Sequence, residues 1–441
     1  MQGDPRGGVM RFVVPVTIEN MVTVLIGIVF STLMGRISAS ALAATNTANL
    51  LIGLYVSAFS LLSVGSAVLT ARLIGARETR DASRTVEQSI LLTGALSVIL
   101  TVVSMFGATL LMRVSMPRAD AELFSESVRY FRILCLSIPG LMLWNVLMSV
   151  LRASGNSRAP LATAVVVNLS QLLFAYLFIV VIPLNITGAA LSFVLCRIIG
   201  GAMALILTLR SRQTFYVRAG NLFHPHAETI RRIVKIGLPT TFEQTFIQIG
   251  YIVANALVVG LGTTQATIYN VANSLNSFAC IPLSIAAAIS TTFVGQMLGA
   301  QRQREAKRFG VKLLFGFMPI VLAFYGGVAL LSPRLSGFYT GDPTVVSGAV
   351  KASWFLVWYA VPVMSVNVVD PCLRAGGDVK YVMFQTFLGV WLVRLPLTWL
   401  FSYVLKMGTT GVYLANILSL AFRAAIGLFR YGREKWLYRK V

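Results

Sequence analysis

Acidic residues are scarce in this chain. Its 441 residues hold 15 Asp+Glu against 37 Lys+Arg, and charged residues of both signs make up only 12%. A soluble globular domain carries about 25% charged residues, so a surface this poor in charge excludes an ordinary water-soluble fold. Histidine occurs twice, as His224 and His226 in one polar loop. A metal tract needs more ligands than that pair supplies. The four cysteines, Cys135, Cys196, Cys280 and Cys372, each sit inside an apolar run. None has CxxC or metal-ligand spacing, so they read as packing residues. No GxxxxGK[ST] loop occurs, which leaves no argument for ATP-driven work. The N-terminus shows no cleavable signal-peptide pattern, and the first apolar run is long enough to stay as a helix.

What the chain has instead is apolar length. It is 56% hydrophobic, with a mean hydropathy of +0.78. A membrane-spanning helix needs about 20 mostly apolar residues. Twelve runs qualify, near 12–35, 46–70, 88–112, 131–151, 160–183, 187–209, 237–259, 268–295, 311–332, 353–373, 381–405 and 411–430. The net charge of +22 does not form the single basic patch of a nucleic-acid binder. Basic residues punctuate alternate gaps between the runs. With the N-terminus in the cytoplasm, 26 of the 37 fall in cytoplasmic segments and seven in outside gaps. The other four, Arg132, Arg197, Arg394 and Arg423, lie within helices. That bias predicts a multi-pass protein of the cell membrane with both termini cytoplasmic.

The two halves resemble each other. Pro15 with Glu19-Asn20 matches Pro239 with Glu243-Gln244, and Asn46-Thr-Ala-Asn49 matches Asn270-Val-Ala-Asn273. Gly75-Ala76 and Arg84 match Gly299-Ala300 and Arg308. Asn145 with Leu151-Arg152-Ala153-Ser154-Gly155-Asn156 matches Asn367 with Leu373-Arg374-Ala375-Gly376-Gly377-Asp378, and Gly188 matches Gly411. The unit has six helices, an even number, so both copies enter the membrane from the same side. The expected architecture is an all-α membrane protein of twelve transmembrane helices in two parallel six-helix repeats. Residues 1–209 form one lobe, 210–236 a cytoplasmic linker, 237–430 the second lobe and 431–441 a basic tail. Parallel repeats of this sort place substrate near the midplane between the halves, which points to a secondary transporter.

With these anchors in order, the chain resembles the multidrug and toxic compound extrusion (MATE) family along nearly its whole length. The most telling pieces are the Pro15-to-Arg36 helix, Gly75-Ala76, Gly237-Leu-Pro239 and Leu373-Arg-Ala-Gly-Gly-Asp378. The resemblance implies a two-lobe fold with a V-shaped cleft. It also implies export of organic, cationic amphipathic compounds by antiport against a proton or sodium gradient. Many members carry a cation-binding Asp in the second half of helix one, and that position here is Phe30. A second branch uses an acid deep in helix seven, which falls near Ile247, and an Asp in helix ten. The coupling cation therefore stays open between H+ and Na+, and no other cofactor is expected.

Ionisable groups inside a membrane are costly and are functional candidates by default. The acids within spans are Glu19, Glu243 and Asp370. Glu19 and Glu243 occupy matching places, where they could bind cations or brace a proline-bent helix. Asp370 breaks the repeat, because its counterpart is Met148. It could couple an ion, or it could pair with Arg374 at i+4. Arg197, Arg394 and Arg423 could neutralise these acids. Gln244, Gln248 and Tyr251 share one stripe of helix seven at i, i+4 and i+7 and could line the cleft. Asn145, Asn168 and Asn367 are further cleft candidates, although amides in membranes are more often interhelical glue. The Arg152 and Arg374 turns, with Gly155 and with Gly376-Gly377, read as tight cytoplasmic turns beside basic anchors, an architectural role, and the Gly75-Ala76 and Gly299-Ala300 segments as lying along the anionic inner leaflet. The expected partners are small organic substrates and membrane lipids, with no nucleic acid, and the chain is expected to act as a monomer. The alternatives are a flippase for a lipid-linked sugar, an intramembrane enzyme and a passive channel. An enzyme would need a concentrated catalytic cluster, which the dispersed acids do not supply.

Overall fold

The structure is a computed structural model. It describes residues 5–438 apart from 38, 116–120, 212–214, 218–219, 221–223, 338 and 340–341, and the side chain of Asn46 lies outside the described residues. The chain divides into two compact units, Met1–Gly237 and Leu238–Val441. The first contains α1 (Pro5–Ile37), α2 (Ala39–Gly75), α3 (Thr79–Ser115), α4 (Ala121–Cys135 with Ile138–Ala153), α5 (Arg158–Val181) and α6 (Asn185–Arg210). Helix α7 (Ala227–Gly260) leads into the second unit. There follow α8 (Thr263–Ala279 with Ile281–Gly299), α9 (Gln303–Gly337), α10 (Pro343–Ala375), α11 (Val379–Val404) and α12 (Thr409–Gly432). Among the described residues, ten helices are long and apolar enough to cross a membrane, and the bent pair of α4 would make an eleventh. The apolar stretch Phe12–Gly27 of α1 completes the series of twelve.

Two spans differ from the uninterrupted helices expected at 131–151 and 268–295. Helix α4 bends by 49° between Cys135 and Ile138, and α8 breaks at Cys280. Pro139 and Pro282 explain both breaks, since each sits at the start of the second piece. Proline has no N–H to continue the ladder and its ring clashes with the preceding turn. Helix α7 begins at Ala227 rather than near 237. Glu228 in its first turn pairs with Arg232 at i,i+4, a stabilising arrangement near a helix N-terminus. At the start of α10, Asp342 accepts bonds from the Thr344 N–H (2.8 Å) and hydroxyl (2.7 Å). Those two donors hold its carboxyl below the usual carboxylate range.

The repeat is visible in the backbone. After α4, Asn156 N–H reaches Leu151 O at 3.1 Å and Gly155 has φ 88°. After α10, Asp378 N–H reaches Leu373 O at 2.9 Å and Gly377 has φ 81°. Both are the same left-handed helix terminus, which glycine enters without steric cost. The second half of α4 packs against α2, α3 and α6, while α10 packs against α8, α9 and α12. Each unit is thus built around its fourth helix. In the short helix Lys435–Tyr438, Trp436 is fully buried and its indole N–H donates to Tyr431 O at 3.0 Å. In the polar loop, Gln88 of α3 donates to His224 O and accepts from His226 N–H. No group of three or more His, Cys, Asp or Glu gathers in metal-binding geometry among the described residues.

Candidate functional site

The second unit gathers the buried ionisable residues at the contacts of α7, α10, α11 and α12. Glu243 of α7 is 1% exposed and receives a two-pronged bond from Arg374, with Nη2–Oε1 at 2.7 Å and Nε–Oε2 at 3.2 Å. The Thr386 hydroxyl of α11 adds a longer contact of 3.4 Å to Oε1. Asp370 lies one turn before Arg374 on α10 but does not pair with it. Its Oδ2 accepts from Arg423 Nη2 of α12 at 3.0 Å, and its Oδ1 accepts from the Gln385 amide of α11. Arg423 Nη2 also stands 3.9 Å from Glu243 Oε1. One guanidinium therefore faces both carboxylates and is closer to Asp370.

Local backbone makes this possible. Arg423 reaches Asp370 by passing over Gly389, where a β-carbon would lie 2.5 Å from the arginine Cγ. The Gly389 carbonyl accepts from the Ser419 hydroxyl at 2.7 Å, which fixes α12 against α11. Gly389 lies in a wide π-type stretch, Leu388–Arg394, and such stretches within α-helices are frequent at functional sites.

The first unit repeats half of the arrangement. Glu19 of α1 accepts from Arg152 at the end of α4 at 2.7 Å, as Glu243 does from Arg374. This pair is less enclosed, with side chains 14% and 27% exposed. Where the second unit has Asp370, the first has the buried Met148. Arg152 and Arg374, expected at tight cytoplasmic turns in an architectural role, both turn inward onto the acid of the unit's first helix. Phe30 is buried with its ring edge-on to Phe193 at 4.6 Å, so an aromatic contact fills that position.

Of the three arginines expected to neutralise acids, only Arg423 does so among the described residues. Arg197 lies over the Trp144 ring at 4.8 Å, and Arg394 over Tyr251 at 4.3 Å. The amide candidates scatter. Asn145 and Asn367 each donate to their own helix, at Leu141 O and Val363 O. Asn168 of α5 donates to Ala164 O and makes a 3.4 Å contact with the Thr23 hydroxyl of α1, which suits interhelical glue. On α7, Gln244 and Gln248 are half-buried and Tyr251 is 43% exposed. Gln385 and Thr386 were not singled out from the sequence, since neither belongs to the repeat anchors.

Known proteins match this chain over its full length. A "Probable multidrug resistance protein NorM" of Thermotoga maritima is 22% identical over 446 residues, covering 99% of this chain and 94% of that protein. An "Uncharacterized transporter YisQ" of Bacillus subtilis is 22% identical over 438 residues, covering 96% and 94%. The fold matches a solved outward-facing conformation of a multidrug resistance MATE family transporter of the MOP superfamily, with a TM-score of 0.92 at 19% identity, over 99% and 98% of the two chains. The MatE family model matches residues 15–177 and 239–400, one copy in each repeat, and the chain therefore belongs to the MatE family of membrane transporters.

Proposed function

We propose that this chain is a cation-coupled antiporter of the cell membrane that exports small amphipathic organic compounds by alternating access, with Asp370 as its coupling carboxyl. The observation that carries the proposal is the shared arginine: Arg423 lies 3.0 Å from Asp370 and 3.9 Å from Glu243. A proton or Na+ arriving at Asp370 neutralises the partner that Arg423 favours. The guanidinium is then free to move fully onto Glu243, and loss of the cation restores the first arrangement. A buried pair responds strongly to such a change because neither charge has water to fall back on. Asp370 suits this role better than Glu243, which Arg374 holds with two bonds. It also suits it better than Glu19, whose Arg152 faces no second carboxylate among the described residues.

Both termini then lie in the cytoplasm, the chain works as a monomer, and it performs no covalent chemistry. Sodium would need further oxygen ligands around Asp370, whereas a proton needs only the carboxyl, so the proton is the simpler coupling ion. Proteoliposomes with separately imposed proton and sodium gradients test the proposal. Efflux of a fluorescent amphipathic compound should follow the proton gradient in wild type and collapse in Asp370→Asn. Efflux that is undiminished in a folded Asp370→Asn would sink the assignment. Movement of a lipid-linked sugar without either gradient would favour a flippase.

A further inference from the structure

The buried acids of the second unit are each matched by an arginine, Glu243 by Arg374, Asp370 by Arg423 and Asp378 by Arg430, and one buried guanidinium is left over. Arg394 of α11 is 4% exposed, and its Nε is enclosed without a hydrogen-bond partner. It takes part in no ion pair among the described residues. A charged group held within a membrane-spanning helix is costly, and a ring face offsets only part of that cost. Its neighbours along α11 share the deficit. The Trp391 indole N–H and the hydroxyls of Thr398 and Ser402 are also buried without partners, so donors recur along the helix at steps of three or four. The group missing from this row is an acceptor, and a strong one.

Beside the guanidinium runs an apolar wall. Phe242 stacks on Phe246, Phe246 meets Phe387 at 5.2 Å, and Phe387 stacks on Trp391, one turn before Arg394. Helix α11 comes close enough to α7 for this because Gly250 has no side chain: a β-carbon there would lie 2.3 Å from Val390 Cγ1. The next residue, Tyr251, is the ring under the guanidinium. The first unit has its own surplus, Arg197 over Trp144, likewise without an acidic partner among the described residues.

We infer that Arg394 receives the acidic group of an amphipathic organic anion, a carboxylate or phosphate on an aromatic or otherwise apolar body. The planar fork of the guanidinium matches the oxygens of such a group. Trp391 N–H lies one turn away as a second donor, and the Phe246–Phe387–Trp391 wall takes the apolar body. This inference names a substrate class for the proposed exporter and so rests on that reading. It differs from the cationic substrates that the family resemblance implied, because the candidate acids Glu19, Glu243 and Asp370 each face an arginine whereas Arg394 faces no acid among the described residues.

Two probes that share a fluorophore and differ in charge isolate the point: dansylglycine, an anion, and dansylcadaverine, a cation. Binding is read by dansyl emission on the full-length, detergent-purified chain, so the result does not depend on transport. Wild type should bind dansylglycine at least about tenfold more tightly than Arg394→Gln, with Arg394→Lys between them. Dansylcadaverine should not weaken in either variant. Trp391→Phe keeps the ring and loses only the N–H. It should weaken dansylglycine alone, and it serves as the test if Arg394→Gln does not fold. Equal dansylglycine affinity in wild type and in folded variants would overturn the inference, as would equal loss of both probes. Phosphatidylglycerol, compared with phosphatidylcholine, separates the two sources of the anion. If phosphatidylglycerol displaces dansylglycine and free benzoate does not, the guanidinium holds a lipid phosphate and the substrate assignment falls. Anion binding without flux in proteoliposomes would instead overturn the transporter reading and leave the site standing.

Discussion

The two repeats contain the same acid–arginine pair at different depths, which makes a comparison inside one molecule. Glu243 and Arg374 have side chains 1% and 16% exposed, whereas Glu19 and Arg152 are 14% and 27% exposed. Removing one partner of a buried pair costs about 3–5 kcal/mol, because the remaining charge keeps its desolvation penalty. An accessible pair is worth only about 0–1 kcal/mol. Arg374→Gln should therefore destabilise the second unit by roughly 3 kcal/mol, at the lower end, because Arg423 at 3.9 Å can swing onto the orphaned Glu243. Arg152→Gln should cost about 1 kcal/mol, slightly above an exposed pair, since Glu19 Oε2 is already enclosed without a partner. At about 2–4 °C per kcal/mol for a unit of this size, the first variant melts roughly 6–12 °C lower and the second only a few degrees lower. Thermal unfolding in detergent, followed by circular dichroism, reads both. The double variant Glu243→Gln/Arg374→Gln should recover much of the loss, because it leaves no buried charge uncompensated. Equal shifts for the two single variants, or a larger one for Arg152→Gln, would refute the reasoning from burial.

Further outcomes follow from single contacts. Gly389→Ala puts a β-carbon into the stem of Arg423. It should abolish gradient-driven efflux in proteoliposomes while the protein still elutes as a folded species on size exclusion. Trp436→Ala empties the fully buried site beneath the Lys435–Tyr438 turn, and it should cost about 3–5 kcal/mol in the same melting experiment. The Asp342 cap has a depressed pKa, so its contribution is present at neutral pH and above. It is lost as pH falls below the usual carboxylate range. The melting difference between wild type and Asp342→Ala should therefore shrink on acidification through that range.

The spans and their number were readable from sequence because lipid imposes a length of apolar chain on every crossing. The repeat was readable because its turns need particular residues, glycine at 155 and 377 above all. The breaks in α4 and α8 were signalled by Pro139 and Pro282, but hydropathy runs straight through a proline and hid them. Charge pairing was the least legible layer. Sequence spacing offered Asp370 the Arg374 side chain one turn away, yet the longer arginine reaches across to α7 and Asp370 finds Arg423 on α12. Which way a helix face turns is set by packing with other helices, and local spacing does not report it. A clue was nevertheless present: Glu19 and Glu243 recur in the repeat together with Arg152 and Arg374. Groups duplicated at one offset are candidates to touch each other. Arg423 and Gln385 occur without such partners in the first half, as does Asp370, so only their burial in space brings them together.

Proton counterflow tests the central claim most directly. Proteoliposomes holding a pH dye are loaded with an outward gradient of an exported compound, and the lumen is monitored for acidification. Wild type should acidify the lumen as the compound leaves. Asp370→Asn should bind the compound with unchanged affinity and move no protons. Proton movement in folded Asp370→Asn equal to that of wild type would contradict the assignment of coupling to the Asp370–Arg423–Glu243 exchange.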